Sequence, residues 1–376
     1  MVFRHFFNMI GNTEDDEMSK KVVSNQDIQN EFLSELACKV NNYDNIDAIN
    51  PKEKSDNLAR ISGFALGVGS LYIQETLGYP FIVLRRQCQL NNRSIRYHIL
   101  PFSLFPVLTK IHQKQGFGVF WKGWGSSCLL NGSIIFIEMV LTEVVHIPRQ
   151  SNPNQMEAKK NWKAVITHEL LKGLSFFVTL PLYSACFVDT VQTNALGETR
   201  SVFAFLGDAF HRLVGSYTSR GHGRLLPMYT LIFPSVIYFM VRYILKSFIT
   251  YHFMRINKKR LNIEEQVSEE SMKKIYYSEL MSNICASFLT EVFMFPFETV
   301  IVRLHLQGTR TIIDDTDKGI GVVPLCTNYG SVMDCIKTIR REEGYGGFFK
   351  GFGALILQYV VQSAIVKLVC PIYNHL

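Results

Sequence analysis

The chain has 376 residues, of which 47% are apolar, 12% aromatic and only 19% charged, a mixture that points towards a membrane. Its formal charge of +7 is spread over many loops with no long Lys or Arg run, which argues against nucleic acid as a partner and fits a basic membrane-surface bias. Eight cysteines (38, 88, 128, 186, 285, 326, 335, 370) form no C-x-x-C pair, which argues against a disulfide framework or zinc site and fits a reducing compartment.

The opening stretch "MVFRHFFNMIGNTEDDEMSK" has too short an apolar part for a secretory signal. Its acidic run disfavours an Arg-rich presequence, so targeting information is expected inside the chain. Residues 1–56 read as a polar, mostly disordered arm, with "NTEDDE" (12–17) as a solvated charge run. Within the arm, Ile28, Phe32, Leu36 and Val40 recur at helical spacing and allow a short amphipathic helix.

Beyond residue 57, six apolar blocks follow at about 58–88, 122–146, 162–194, 225–253, 275–307 and 351–373. None is a clean run of about 20 apolar residues, as expected for spans around a wet or protein-filled centre. The first, third and fifth blocks each contain a proline (Pro80, Pro181, Pro296), 101 and 115 residues apart. Such spacing indicates an internal repeat of about 100 residues.

A second marker keeps the same period: "QGFGVFWKGWG" (115–125) and "EGYGGFFKGFG" (343–353) both read Gly, four residues, aromatic, Lys, Gly. Each follows an amphipathic segment, with Leu104, Leu108 and Ile111 on one face in the first case and Val332, Ile336 and Ile339 in the other. These predict short helices at the membrane surface, each ended by glycine. The middle segment "SVFAFLGDAFHRLVGS" (201–216) is helix-like but lacks a clean marker.

The combination Pro-x-acid-x-x-cation, surface helix and Glu-Gly-x4-aromatic-Lys-Gly resembles the mitochondrial carrier family, solute carrier family 25, over roughly residues 57–373. The match is closest in the third repeat, partial in the first and weak in the second. "YPFIVLRRQCQ" (79–89), "RLLPMYTLIFPSVIY" (224–238) and "RLHLQGTRTIIDDTD" (303–317) resemble a divergent outer-membrane branch of that family. The implied fold is an all-α membrane protein of six transmembrane helices in three tandem repeats, about 57–150, 151–260 and 270–373, the second degenerate.

In working carriers, as the resemblance implies, the acid two residues after each proline pairs with the cation five after the proline of a neighbouring repeat, and three such pairs close the cavity. Here the acid positions hold Ile82, Tyr183 and Glu298, and the cation positions hold Arg85, Cys186 and Ile301. The residual gate is therefore Pro80, Arg85, Pro181, Pro296, Glu298 and Arg303, with Glu298 expected opposite Arg85. One pair facing a wet cavity contributes at most about 1 kcal/mol, whereas a decisive two-state shift takes about 5 kcal/mol.

The opposite gate, aromatic-acid-x-x-cation on even helices, reads "YFMVR" (238–242) and "SAIVK" (363–367), with Phe239 and Ala364 in place of the acids. Arg242 and Lys367 are thus expected as unpaired cavity cations. The carrier signature residues are Gly116, Trp121, Lys122 and Gly123 in the first repeat and Glu343, Gly344, Phe349, Lys350 and Gly351 in the third.

Glu75, Glu138, Asp189 and Glu291 lie in apolar surroundings, where an ionisable group is a functional candidate, the bland alternative being cavity lining. The glycines of "GFALGVGS" (63–70) fit close helix packing, and "THELL" (167–171) lacks a second metal ligand. No nucleophile triad, P-loop or paired-carboxylate site appears, so neither an enzyme nor a cofactor is expected. The insert 308–329 lengthens the third repeat, 55 residues separating Pro296 from Gly351 against 43 from Pro80 to Gly123, and is expected as a solvated loop and first choice for a partner surface.

The resemblance implies a non-transporting adaptor of the mitochondrial outer membrane, acting on fission and fusion, cristae organisation and lipid supply. Its implied partners are the outer-membrane fusion and fission machinery, the cristae-organising complex, lipid-transfer machinery and membrane lipid. The alternative is a solute or lipid transporter with altered gates.

Overall fold

The computed structural model describes residues 73–145, 162–193, 205–210, 212, 226–261, 269–309, 311–317, 319 and 321–375. The arm at 1–56, the amphipathic stretch at 28–40 and the glycines at 63–70 lie outside these residues. The chain is dominated by long helices: α1 (residues 73–90), α3 (Trp124–Val145), α4 (Trp162–Val191), α5 (Met228–Leu261), α6 (Glu269–Leu306) and α8 (Phe352–His375). Among the described residues, the short helices α2 (Phe105–Gln115) and α7 (Val332–Glu342) and a helical stretch at 205–210 lie between them in sequence.

Among the described residues five stretches, Phe117–Val144, Glu169–Val191, Met228–Phe253, Leu280–Leu306 and Tyr345–Leu368, are long and apolar enough to cross a membrane. Prolines 181, 234 and 296 lie inside α4, α5 and α6. Each removes a backbone donor, a loss that membrane helices tolerate when neighbouring groups satisfy the freed carbonyls. Three residues beyond Pro296, the Thr299 hydroxyl donates to Phe295 O at 3.1 Å and to Phe348 O at 2.9 Å, which ties α6 to the turn before α8.

The short helices form as their patterns require. In α7 the Ser331 hydroxyl accepts from Asp334 N while the Asp334 carboxylate accepts from Gly330 N, a reciprocal N-terminal cap. Its apolar side buries Cys335 and Ile339 against Leu304, Val300 and Tyr329. In α2, Val107 and Ile111, with Leu104 just before them, bury against Leu84, Cys88 and Phe120. Both end at glycines with positive φ, Gly116 at 81° and Gly344 at 73°, which L-residues adopt only with strain.

Two glycines fix how the helices meet. A Cβ on Gly123 (φ 65°) would lie 2.8 Å from Thr190 N, and one on Gly351 (φ 82°) would lie 2.7 Å from Cys88 Cβ. Thr190 is nine residues after Pro181, and Cys88 eight after Pro80. The start of each of these even helices therefore lies against the same level of a proline-bearing helix, α3 against α4 and α8 against α1.

The all-α expectation holds apart from one short hairpin. Residues Ile312–Asp314 (β1) and Val322–Pro324 (β2) pair antiparallel, with Ile313 opposite Val323. The expectation of a solvated loop at 308–329 holds for its second half, where residues 321, 322, 324, 326 and 328 are exposed, and fails for its first, where Thr311, Ile313, Asp314 and Thr316 are all buried. Ile313 packs in one cluster with Leu90, Val191 and Leu306, the last residues of α1, α4 and α6. The first half of the insert is thus part of the core.

Candidate functional site

The polar interior of the bundle is arranged in levels, beginning with a four-membered ionic cluster. Arg85 on α1 donates to Glu291 on α6 at 2.6 Å and lies 3.2 Å from Glu298, also on α6. Glu291 also accepts from Arg242 on α5 at 2.7 Å. Two cations and two carboxylates thus neutralise each other and tie α1, α5 and α6 together.

Two expectations change here. Arg242 is not an unpaired cavity cation, because Glu291, which lies outside the gate motif, supplies a carboxylate one helix away. The Arg85–Glu298 pair is buried rather than solvent-facing, with side chains 6% and 11% exposed, so surface-pair energetics do not apply. Breaking such a buried network leaves an uncompensated charge. Lys367 is exposed and forms no ion pair among the described residues.

The remainder of this level is aromatic. Tyr183, at the acid position of the second repeat, sets its ring edge-on to Phe239 at 4.8 Å and to Phe187 at 4.3 Å. Phe239, where the opposite gate would carry an acid, stacks on Phe176 at 4.2 Å with the planes 5° apart. Cys186 and Ile301, the lost cation positions, are buried in the adjoining apolar clusters. At this level, therefore, ionic contacts run between α1, α5 and α6, while α4 meets its neighbours through rings.

The next level is held by His305, fully buried between Ser184 Oγ at 2.6 Å from Nδ1 and Ser235 Oγ at 2.8 Å from Nε2. This histidine links α6 to α4 and α5, and Arg212 donates to its carbonyl. Of the other candidates, Asp189 accepts from Ser126 Oγ at 2.6 Å and Glu138 faces Lys172 at 3.9 Å. Both join neighbouring helices rather than composing a shared site with Arg85.

The signature residues form two comparable clusters. In the third repeat Glu343 receives two donors from Arg303, one of them at 2.9 Å, and Lys350 Nζ at 2.7 Å. Arg303 Nε also donates to Gln89 O at 2.8 Å, and Lys350 to the carbonyls of Asn91 and Ser94 at 2.8 and 3.1 Å. Arg303 therefore belongs to this clasp, not to the gate; its guanidinium lies seven residues, about two turns, beyond Pro296 and away from Glu298.

In the first repeat the residues at the same offsets are Gln87, Gln115 and Lys122. Asp314 of the insert enters among them: its carboxylate accepts from Lys122 Nζ at 2.6 Å, Gln87 Nε2 at 2.9 Å, Gln115 Nε2 at 2.7 Å and Thr193 Oγ1 at 2.6 Å. Burial alone would raise the pKa of Asp314, but the Lys122 ammonium and these donors outweigh it and hold the carboxyl below its usual range. Asp317 accepts from Ile95 N at 2.8 Å and Arg96 N at 3.0 Å, so a second insert carboxylate fixes the loop after α1.

Sequence reasoning placed Arg85, Glu298, Lys122 and Lys350 but missed the pairings of Glu291 and the entry of Asp314. One signal for the latter is present in the chain: Gln87 and Gln115 stand where the third repeat has Arg303 and Glu343, leaving Lys122 without a local carboxylate. Trp121 Nε1 donates to Thr76 O at 2.9 Å, and the Phe349 ring stacks on Phe295 with centroids 6.1 Å apart. Both aromatic signature positions thus brace helix contacts.

Long apolar helices, prolines at repeated depth and two Lys-Gly clasps define a helical membrane protein of the carrier class. The sequence pattern of the family described as "Mitochondrial carrier protein" matches residues 57–147 and 273–372, and the chain belongs to that family. It is similar to the "Mitochondrial outer membrane protein SLC25A46" of Homo sapiens, 38% identical over 330 residues covering 86% of this chain and 77% of the human protein. The protein of the same description from Gallus gallus is 37% identical over 326 residues, covering 86% and 78%. "Solute carrier family 25 member 46" of Xenopus tropicalis is 38% identical over 323 residues, covering 85% and 76%.

Proposed function

We propose that this chain is a multi-pass protein of the mitochondrial outer membrane that keeps the carrier fold without the transport cycle, and serves as a non-enzymatic adaptor. In this reading α1 is a sixth crossing, and the helices fall into three repeats at about 57–150, 151–260 and 270–373. The names of the relatives support the location, and the matching contacts of Gly123 and Gly351 support the repeats.

One observation carries the non-transporting reading: the level where a threefold gate would lie is ionic between α1, α5 and α6 and aromatic around α4. A gate that closes by ring pairing needs equivalent partners on all three repeats; Tyr183 and Cys186 supply none. The surfaces are then left as the working part. The partners we propose are outer-membrane fusion and fission machinery, the cristae-organising complex and lipid-transfer machinery.

Reconstitution into liposomes tests the first half, with no saturable exchange expected across a panel of carrier solutes. Saturable exchange that disappears in Arg85→Ala and Glu298→Ala would overturn it in favour of a transporter with altered gates. Proximity labelling in cells tests the second half: enrichment of outer-membrane morphology proteins is expected, and labelling confined to matrix proteins would refute the location.

A further inference from the structure

The hairpin of β1 and β2 brings two things to one point. Ile313 fills the place where the last residues of α1, α4 and α6 meet, and neighbouring Asp314 sits among Gln87, Gln115, Lys122 and Thr193, which come from the first two repeats. The hairpin is further tied by Thr193 N donating to Ile312 O at 2.8 Å and by Asn91 Nδ2 donating to Thr316 Oγ1 at 3.0 Å. His98 Nε2 lies 3.0 Å from Thr316 O.

In the third repeat the carboxylate of the clasp is local: Glu343 precedes Lys350 by seven residues. In the first repeat the position seven before Lys122 is Gln115, which carries no charge. Lys122 is nonetheless buried, and a buried ammonium without a carboxylate is strongly unfavourable. A donor set of two glutamine amides, one threonine hydroxyl and one ammonium accommodates one anion, and Asp314 places two oxygens in it.

We propose that the insert is an intramolecular plug, in which Ile313 closes the end of the bundle where α1, α4 and α6 terminate and Asp314 latches it by replacing the carboxylate missing from the first repeat. The latch pairs a lysine of the first repeat with an aspartate of the third, so the plug also holds the two ends of the chain's helical part together. A closed end on this side leaves no aqueous route along the axis while the latch is made. The proposal concerns the state of one mouth and stands whether or not the protein transports a solute.

Thiol accessibility of the full-length protein in phosphatidylcholine–phosphatidylethanolamine liposomes tests it. A cysteine is introduced as Ile313→Cys and labelled with a water-soluble maleimide, with peptide masses separating it from Cys326, which is exposed. Labelling at position 313 is expected at least tenfold slower than at Cys326, and at least tenfold faster once Lys122→Met is added. The double exchange Lys122→Asp with Asp314→Lys is expected to restore protection, and monodisperse elution with retained helical circular dichroism identifies folded variants.

Labelling at 313 as fast as at Cys326 would overturn the plug. Protection unchanged by Lys122→Met, or not restored in a folded double exchange, would overturn the latch. Saturable exchange by the unaltered protein would defeat the adaptor reading while leaving this labelling pattern intact, so the two failures are distinguishable.

Discussion

Substituting Glu343 by Gln removes the one carboxylate shared by Arg303 and Lys350, whose side chains are each 1% exposed. The amide keeps the shape but loses the charge and can accept from only one side. Removing one partner of a buried ion pair costs about 3–5 kcal/mol, because the remaining charge stays desolvated. Both cations retain backbone acceptors, Gln89 O for Arg303 and the Asn91 and Ser94 carbonyls for Lys350, which places the expected loss near the lower end, about 3 kcal/mol.

The adjacent residue provides an internal control. Glu342 pairs with Arg341 at 3.4 Å, but their side chains are 53% and 76% exposed, so Glu342→Gln should cost no more than about 1 kcal/mol. At roughly 2–4 °C per kcal/mol, Glu343→Gln should lower the melting temperature by about 6–12 °C. Thermal unfolding in detergent can be followed with a thiol-reactive fluorogenic dye, since Cys88, Cys186 and Cys335 are buried and become reactive on unfolding. Equal melting temperatures for the two variants would refute the assignment of Glu343 as a structural clasp.

Three further outcomes are expected. Gly351→Ala should destabilise more than Gly116→Ala: both have positive φ, costing about 1–2 kcal/mol, but only at Gly351 would the added Cβ overlap Cys88 and Arg85 backbone. Glu291→Gln should lower the melting temperature more than Glu298→Gln, because Glu291 serves both Arg85 and Arg242; the reverse order would dismiss the four-membered cluster. Because the folded-state pKa of Asp314 lies below its ordinary value of 3.8, its contribution to stability is fully present above that pH and is lost as pH falls below it. Hydrogen exchange of the 311–325 backbone between pH 5 and pH 3 should show this loss in the native protein and a smaller one in Asp314→Asn, where Asp317, held below its usual range by the amides of Ile95 and Arg96, still titrates.

The chain alone determined the helical membrane class, the proline depth in α4 and α6, the two surface helices and the Lys-Gly markers, because each depends on local periodicity or on residue types at fixed offsets. Val332, Ile336 and Ile339 predict the buried side of α7 for that reason, and Leu104 and Ile111 that of α2. The reduced gate is also legible, since Ile82, Tyr183, Cys186 and Ile301 stand where charges would be needed.

Tertiary structure decided what the surviving charges do. Arg85 and Glu291 are 206 residues apart, and Lys122 and Asp314 are 192 apart, so no local pattern announces either contact. Burial then selects among possible partners: a cation that could remain solvated on a loop must find a carboxylate once three helix ends enclose it. That requirement assigns Arg303 to a clasp with Glu343 and Lys122 to Asp314, and makes residues 311–316, with the composition of a solvated loop, the piece of core on which α1, α4 and α6 converge, while Arg242, in the middle of α5 and 36% exposed, meets Glu291 where α5 and α6 pack together.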